Sequence, residues 1–189
     1  SYLEARVIDT ISTSSYEIIP PCDHFFNCGG CSFQNMEYSE QLKQKQSQVT
    51  DLFMRIGGFD NISSNPIMYC EQQYNYRNKM EFTFSNREWV PEFEERNPSD
   101  YALGLHPANR WDKILNINEC HIQTSVANEI LKIVRKKSLE QKLRPYDIRK
   151  HTGFIRNVII RVGANTGEIM VNLVTSTEDE KALIPMTNS

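Results

Sequence analysis

Between residues 39 and 56 the apolar positions Leu42, Val49, Leu52, Phe53 and Ile56 return at helical spacing, and Gly57-Gly58 closes the run. The pattern predicts an amphipathic helix over 39–56. From Tyr76 to Ser85 the period changes to two, with Met80, Phe82 and Phe84 alternating against Glu81, Thr83 and Ser85, as in a half-buried strand. An acidic, proline-containing loop over 88–100 leads to short predicted strands at 101–105 and 113–117. Val126, Ile130, Ile133 and Val134 mark a second amphipathic helix that runs on to Leu143, with Pro145 as its stop. Residues 154–162 and 168–175 read as two strands of a hairpin joined by Gly163-Ala164-Asn165-Thr166-Gly167. At the front, 5–9 and 15–19 read as two short β segments separated by the turn-type residues Ser12 to Ser14. Helices mixed with antiparallel hairpins define an α+β fold.

Composition narrows the picture only modestly. The 189 residues are 39% hydrophobic and 10% aromatic, enough for the core of a globular domain. No stretch approaches the ~18 apolar residues of a membrane-spanning helix, and no secretory signal pattern opens the chain, so a cytoplasmic protein, expected to be monomeric, is predicted. The chain begins without methionine on a strand-like run and stops just after a fresh helical start, so both ends are expected to be boundaries within a longer protein. Net charge is −3, against the basic balance of a typical nucleic-acid-binding domain. The distribution is uneven: 132–161 carry ten Lys or Arg against Glu140 and Asp147, whereas 1–131 carry ten basic and eighteen acidic side chains. Such an asymmetry creates a phosphate-attracting face, unless Lys132, Arg135, Lys136 and Lys137 simply solvate one side of a helix.

The cysteines change the picture most. Cys22, Cys28 and Cys31 form C-x5-C-G-G-C in an aperiodic loop, and Cys120 follows far downstream. In a reducing compartment such clustering argues for a metal rather than disulfides. The glycines between Cys28 and Cys31 let the backbone wrap a bulky centre and direct amide hydrogens at its sulfurs. Structural zinc usually takes two knuckles of two cysteines, and here Cys120 stands alone. Three local cysteines with a remote fourth fit a [4Fe–4S] cluster better, with zinc and unligated thiols as the alternatives. Cys70 reads as a buried small hydrophobe. His24 and His121 flank the ligand cysteines without being needed as ligands, and His106 and His151 read as surface or packing residues.

The run C-D-H-F-F-N-C-G-G-C-S-F-Q, from Cys22 to Gln34, resembles the iron–sulfur signature of the RNA uracil-5-methyltransferases of the RumA and TrmA superfamily. Tyr76-Arg77-Asn78-Lys79 resembles that family's Y-R-N-K strand opening, Leu103-Gly104-Leu105 leads to Ile117-Asn118-Glu119-Cys120 where the fourth ligand is expected, and Gly153 to Val158 resembles its G-x-x-R-x-x strand. The resemblance spans roughly residues 20–175, in family order. It implies a tail of a TRAM-like RNA-binding β module at 1–20, an Fe–S loop at 21–37, a central α+β RNA-binding domain at 38–176, and at 177–189 the start of a linker to a Rossmann-like methyltransferase domain absent from these residues. It further implies an enzyme in which a cysteine thiolate adds to uracil C6, C5 takes the methyl group of S-adenosylmethionine, and a glutamate removes the C5 proton. Neither that machinery nor a strand followed by a glycine-rich nucleotide loop is found here; Gly153, Gly163 and Gly167 are turn glycines at the wrong spacing. This part alone is therefore expected to be inactive, with S-adenosylmethionine bound elsewhere.

The family implies RNA as partner, with 23S rRNA expected and tRNA as the alternative. Phe33, Gln34, Arg77, Lys79, Arg110, Arg149, Arg156 and Arg161 are the candidate RNA contacts, each with the competing role of an ordinary solvated residue. One departure is Leu105-His106-Pro107-Ala108 before Arg110, where family members often carry basic residues. The cluster would be structural, tying the N-terminal loop to the segment bearing Cys120. A zinc-stapled RNA-binding module and, last, a ferredoxin-like electron carrier are the competing classes.

Overall fold

The computed structural model describes residues 3, 5, 7–91, 94–177 and 180–187, without the side chains of 180 and 185–187. Two compact units result, and neither follows the chain linearly: Ser1–Pro21 with Phe33–Tyr69, and Cys22–Ser32 with Cys70–Ser189.

The first unit is organised by helix α1, Tyr38–Arg55. Its entry is fixed from the preceding loop, since the Gln41 amide donates to the carbonyls of Phe33 and Met36 at 2.9 and 2.8 Å. Glu40 sits in the first turn, where a carboxylate complements the helix dipole, with Lys43 at 3.3 Å. Its C-terminal end lies at the predicted glycine pair, where the Gly57 N–H returns to the Leu52 carbonyl. Of the β segments expected at 5–9 and 15–19, the described residues form no strand, and Arg6 lies outside the described residues. Among the described residues of this stretch the β pairing is a single bridge, Glu17 to Met36, and Ile8 and Ile11 are fully exposed. Two apolar pairs cannot cover a face by themselves, and among the described residues no neighbouring strand pairs with them.

The second unit is an antiparallel five-stranded sheet in the order β3-β2-β1-β4-β5: β1 Lys79–Ser85, β2 Ala102–Leu105, β3 Leu115–Asn116, β4 Ile155–Val162 and β5 Ile169–Thr175. The alternation read in β1 is realised, with Met80, Phe82 and Phe84 turned inward and Val158 and Ile160 of β4 opposite them. Helix α2, Ser125–Glu140, contributes Ala127, Leu131, Val134 and Ser138, which recur every third or fourth residue on its inner face. Phe82, Leu103, Leu131 and Val158 are completely buried in this core, and each such side chain contributes roughly 1.5–3 kcal/mol. Gly104 is fixed by the sheet, because a Cβ there would stand 2.0 Å from the Leu115 carbonyl oxygen. Helix α3, Glu180–Thr187, closes the described chain, and among the described residues no helix is long and apolar enough to cross a membrane.

Candidate functional site

All four signature cysteines fall in the second unit. The loop holding Cys22, Cys28 and Cys31 is a series of tight turns: Phe25 N–H to the Cys22 carbonyl at 3.0 Å, and Cys28 N–H to the His24 carbonyl at 2.7 Å. Phe25 is buried and Cys28 and Cys31 pack against the sheet core, which anchors a segment without regular structure. The Gly29 N–H donates to the His106 carbonyl at 3.1 Å, and Cys28 bridges Pro107. The Gly30 N–H lies 3.4 Å from the Cys28 sulfur, the amide-to-sulfur contact expected of the two glycines.

Cys120 approaches from just beyond β3 and is buried. Its backbone is bracketed by the buried Asn128 side chain, which accepts from the Cys120 N–H at 2.9 Å and donates to its carbonyl at 3.2 Å. The Ile122 and Gln123 backbone amides favour the Cys120 thiolate. His24 connects the two halves of the site, its Nε2 accepting from the Asn118 N–H at 3.1 Å; burial pushes its pKa down, so the ring stays neutral.

Electrostatically the thiols form one group. Burial pushes Cys28 up to about 11 and also raises Cys22 and Cys120. Cys22, Cys31 and Cys120 each add to this effect on Cys28, and Cys31 and Cys120 act likewise on Cys22. Backbone amides oppose the shift at all three. Thiols that resist ionisation together, yet are supplied with amide donors, constitute a donor set that a cation would convert to thiolates. Among the described residues, no three His, Cys, Asp or Glu side chains converge tightly enough to hold one metal ion.

The other sequence candidates scatter. Phe33 and Gln34 belong to the first unit; Phe33 is half exposed, and the Gln34 Oε1 is buried without a partner. Arg77 is exposed, and its positive charge favours the Cys120 thiolate. Lys79 and Arg161 are cross-strand partners on the open face of the sheet, with Lys79 3.7 Å from Glu81. A register shift between Ile155 and Asn157 leaves Arg156 outside the ladder, and its guanidinium stacks 4.5 Å over the Tyr146 ring. Arg110 and Arg149 come together, sharing Asp112 at 3.2 and 3.6 Å. Their hydrogen bond and charges hold the Asp112 carboxyl below the usual range, the Arg110 bond foremost.

Two expectations need correction. Cys70 is exposed, not buried, and its sulfur lies 3.1 Å from the Gln72 carbonyl. Arg135 does not join the Lys132, Lys136 and Lys137 surface: it turns inward and donates to the Leu103 and Ile117 carbonyls, while its Nε is buried without a partner. Sequence reasoning also missed Asn128. The signal available was a polar residue inside the apolar stripe of Ala127, Leu131 and Val134.

No family model matches the chain. It is 35% identical over 188 residues to an uncharacterised RNA methyltransferase of Chlorobaculum tepidum, covering 97% of this chain and 39% of that protein. To uncharacterised RNA methyltransferases of Porphyromonas gingivalis and Bacteroides thetaiotaomicron it is 37% identical, covering 96% and 95% of this chain and 41% and 40% of theirs. The chain thus spans about two fifths of the length of these relatives. Among solved structures it resembles the Pyrococcus abyssi tRNA (uracil-54, C5)-methyltransferase in complex with S-adenosyl-L-homocysteine, with a TM-score of 0.63 and 25% identity over 94% of this chain and 36% of that one.

Proposed function

We propose that this chain, which is homologous to one segment of the RNA methyltransferases of the RumA and TrmA superfamily, is the RNA-binding and iron–sulfur-bearing part of an S-adenosylmethionine-dependent RNA uracil-C5 methyltransferase of the cytoplasm. The observation that carries the reading is that Cys22, Cys28, Cys31 and Cys120 all fall in the sheet-bearing unit, with Cys28 and Cys31 packed against the core that includes Cys120, in a chain similar to RNA methyltransferases. Four thiols and no carboxylate make a soft donor set suited to iron–sulfur clusters or zinc. A [4Fe–4S] cluster spreads its thiolates over several ångströms, whereas zinc needs all four sulfurs at about 2.3 Å from one ion. The cluster's contribution would be a covalent cross-link between the loop and the Cys120 segment.

In this reading residues 1–20 are the end of a TRAM-like module, 21–37 the cluster loop, 38–176 the central RNA-binding domain, and 177–189 the approach to a methyltransferase domain. Methyl transfer then belongs to parts of such proteins that this chain does not represent, and the chain alone is expected to be inactive. The substrate expected from the cluster-type resemblance is 23S rRNA. The tRNA enzyme among the structural neighbours favours a second reading, tRNA.

The test is an anaerobic absorption spectrum with iron, sulfide and zinc analysis, on the chain and on Cys28→Ala. A broad shoulder near about 400 nm that the variant loses is expected. Stoichiometric zinc without colour would replace the cluster with a zinc-stapled module. Binding to uridine-containing 23S rRNA fragments and to tRNA transcripts, compared at one salt concentration, separates the two substrate readings.

A further inference from the structure

The β2–β3 connection carries an arrangement not used above. Of the two tryptophans, Trp89 packs against the core, whereas Trp111 is 68% exposed at the tip of this connection. The tip is held in shape by its own bonds. Arg110 N–H returns to the Pro107 carbonyl at 3.1 Å across Asn109, whose φ of +61° is the left-handed conformation that asparagine tolerates in a tight turn. The His106 Nδ1 lies 3.2 Å from the Lys113 carbonyl, closing the base of the loop.

Beside this tip lies a groove of about 600 Å³, lined among others by Gly29, Gly30, Leu105, Pro107, Arg110 and Trp111. That size falls within the ~300–1,000 Å³ typical of small-ligand sites. One wall is the Cys28-to-Cys31 loop, where side chains are missing for a reason: a Cβ at Gly29 would lie 3.2 Å from the His106 oxygen and 3.4 Å from the Ala108 backbone. The groove is apolar along Leu105 and Pro107, yet the Arg110 guanidinium lines it and pairs with Asp112, which a second guanidinium, Arg149, also reaches. Arg110 and Arg149 are about half exposed and divide a single carboxylate, Asp112, between them, which leaves one positive charge uncompensated.

An exposed indole, an apolar floor and a surplus guanidinium are the elements that bind an unpaired nucleotide. The base needs a π face, and the phosphate needs a charged fork. We propose that this groove seats one single-stranded nucleotide of the RNA, with its base stacked on Trp111 and its phosphate held by Arg110 and Arg149. The inference rests on the RNA-handling reading above and adds to it the residue that grips a splayed base. A purely apolar protein segment would gain nothing from the two guanidiniums.

The experiment follows the fluorescence anisotropy of a dye-labelled short oligouridylate titrated with the whole chain, for wild type, Trp111→Ala, Trp111→Phe, Arg110→Gln and Arg149→Gln. Saturable binding is expected, weakened roughly five- to hundredfold in Trp111→Ala and largely kept in Trp111→Phe. Each arginine variant should lower the slope of log affinity against log salt by about one. An exposed side chain leaves folding intact, which an unchanged thermal midpoint of Trp111→Ala verifies. If Trp111→Ala binds the oligonucleotide as tightly as wild type, the groove assignment is overturned while the RNA reading stands. If neither the oligonucleotide nor rRNA and tRNA fragments bind, both are overturned. Self-association of the chain that Trp111→Ala abolishes, with no binding of oligonucleotide, would make the groove a protein-docking surface, and also overturns the proposal.

Discussion

Replacing Asn128 with alanine tests whether the cysteine site is held from beneath by a buried amide. The side chain is 4% exposed and makes three contacts: it accepts from the Cys120 N–H and the Gln123 amide, and it donates to the Cys120 carbonyl. Truncation strands two donors and one acceptor in a region that water reaches poorly. A buried group left unsatisfied costs about 1–3 kcal/mol, and a water drawn into the vacated space recovers part of that. The net loss should be about 2–4 kcal/mol. For a chain of this size that corresponds to a fall in melting temperature of about 5–15 °C. The assay is thermal unfolding by circular dichroism of the metal-free chain under reductant, so that the result does not depend on the cluster. Anaerobic reconstitution then gives a second readout, since Cys120 loses the bond that orients its backbone and iron uptake should drop. A melting temperature within about 2 °C of wild type would show that water replaces the amide fully and would refute the reasoning.

Three further outcomes are expected. The Asp147 carboxyl is held down to about 2 by the Asn86 amide and the Lys150 and Arg149 N–H groups, against an ordinary value of 3.8. Its stabilising effect is therefore complete above about pH 4 and lost as pH falls from there toward 2, and Asp147→Asn should flatten that part of an acid-unfolding curve; an unchanged curve would count against the assignment. Gly104→Val should abolish soluble expression or the native circular dichroism spectrum, because even the first carbon of the side chain collides with the Leu115 carbonyl. Arg135→Leu should lose about 1–3 kcal/mol in denaturant unfolding as the Leu103 and Ile117 carbonyls lose their donor. The same variant should keep RNA affinity and salt dependence unchanged, which would not hold if Arg135 belonged to the surface charge of α2.

The parts of this molecule legible in its sequence are those governed by periodicity. β1 was readable because Met80, Phe82 and Phe84 alternate with polar residues and their burial alternates in step. α2 was readable because Ala127, Leu131 and Val134 share one face. The segment before Cys22 was not, because Val7 and Ile8 have strand propensity but no partner strand at hand, and propensity without pairing leaves them exposed. Charge was the least legible property. The run of Lys132, Arg135, Lys136 and Lys137 looked uniform, yet one turn of helix separates a guanidinium that serves the Leu103 and Ile117 carbonyls from the exposed Lys132 and Lys136. Arg156 shows the same limit, since a one-residue register shift diverted it from the sheet onto Tyr146.

The cysteine spacing poses a different kind of question, because a loop of this composition needs support that the rest of the fold must supply. Cys28, Gly29, Gly30 and Cys31 cannot form a binding loop by themselves, because a loop without periodicity has no face to bury. The structure supplies that face through the β2–β3 connection, where His106 receives the Gly29 N–H and Pro107 bridges Cys28. The hairpin that buttresses the thiols is thus the one that presents Arg110 and Trp111 to solvent. A metal bound at Cys22, Cys28, Cys31 and Cys120 would stiffen one wall of the groove through this shared backbone. Under the proposed function, such a centre would act on RNA recognition through this backbone without any electron transfer.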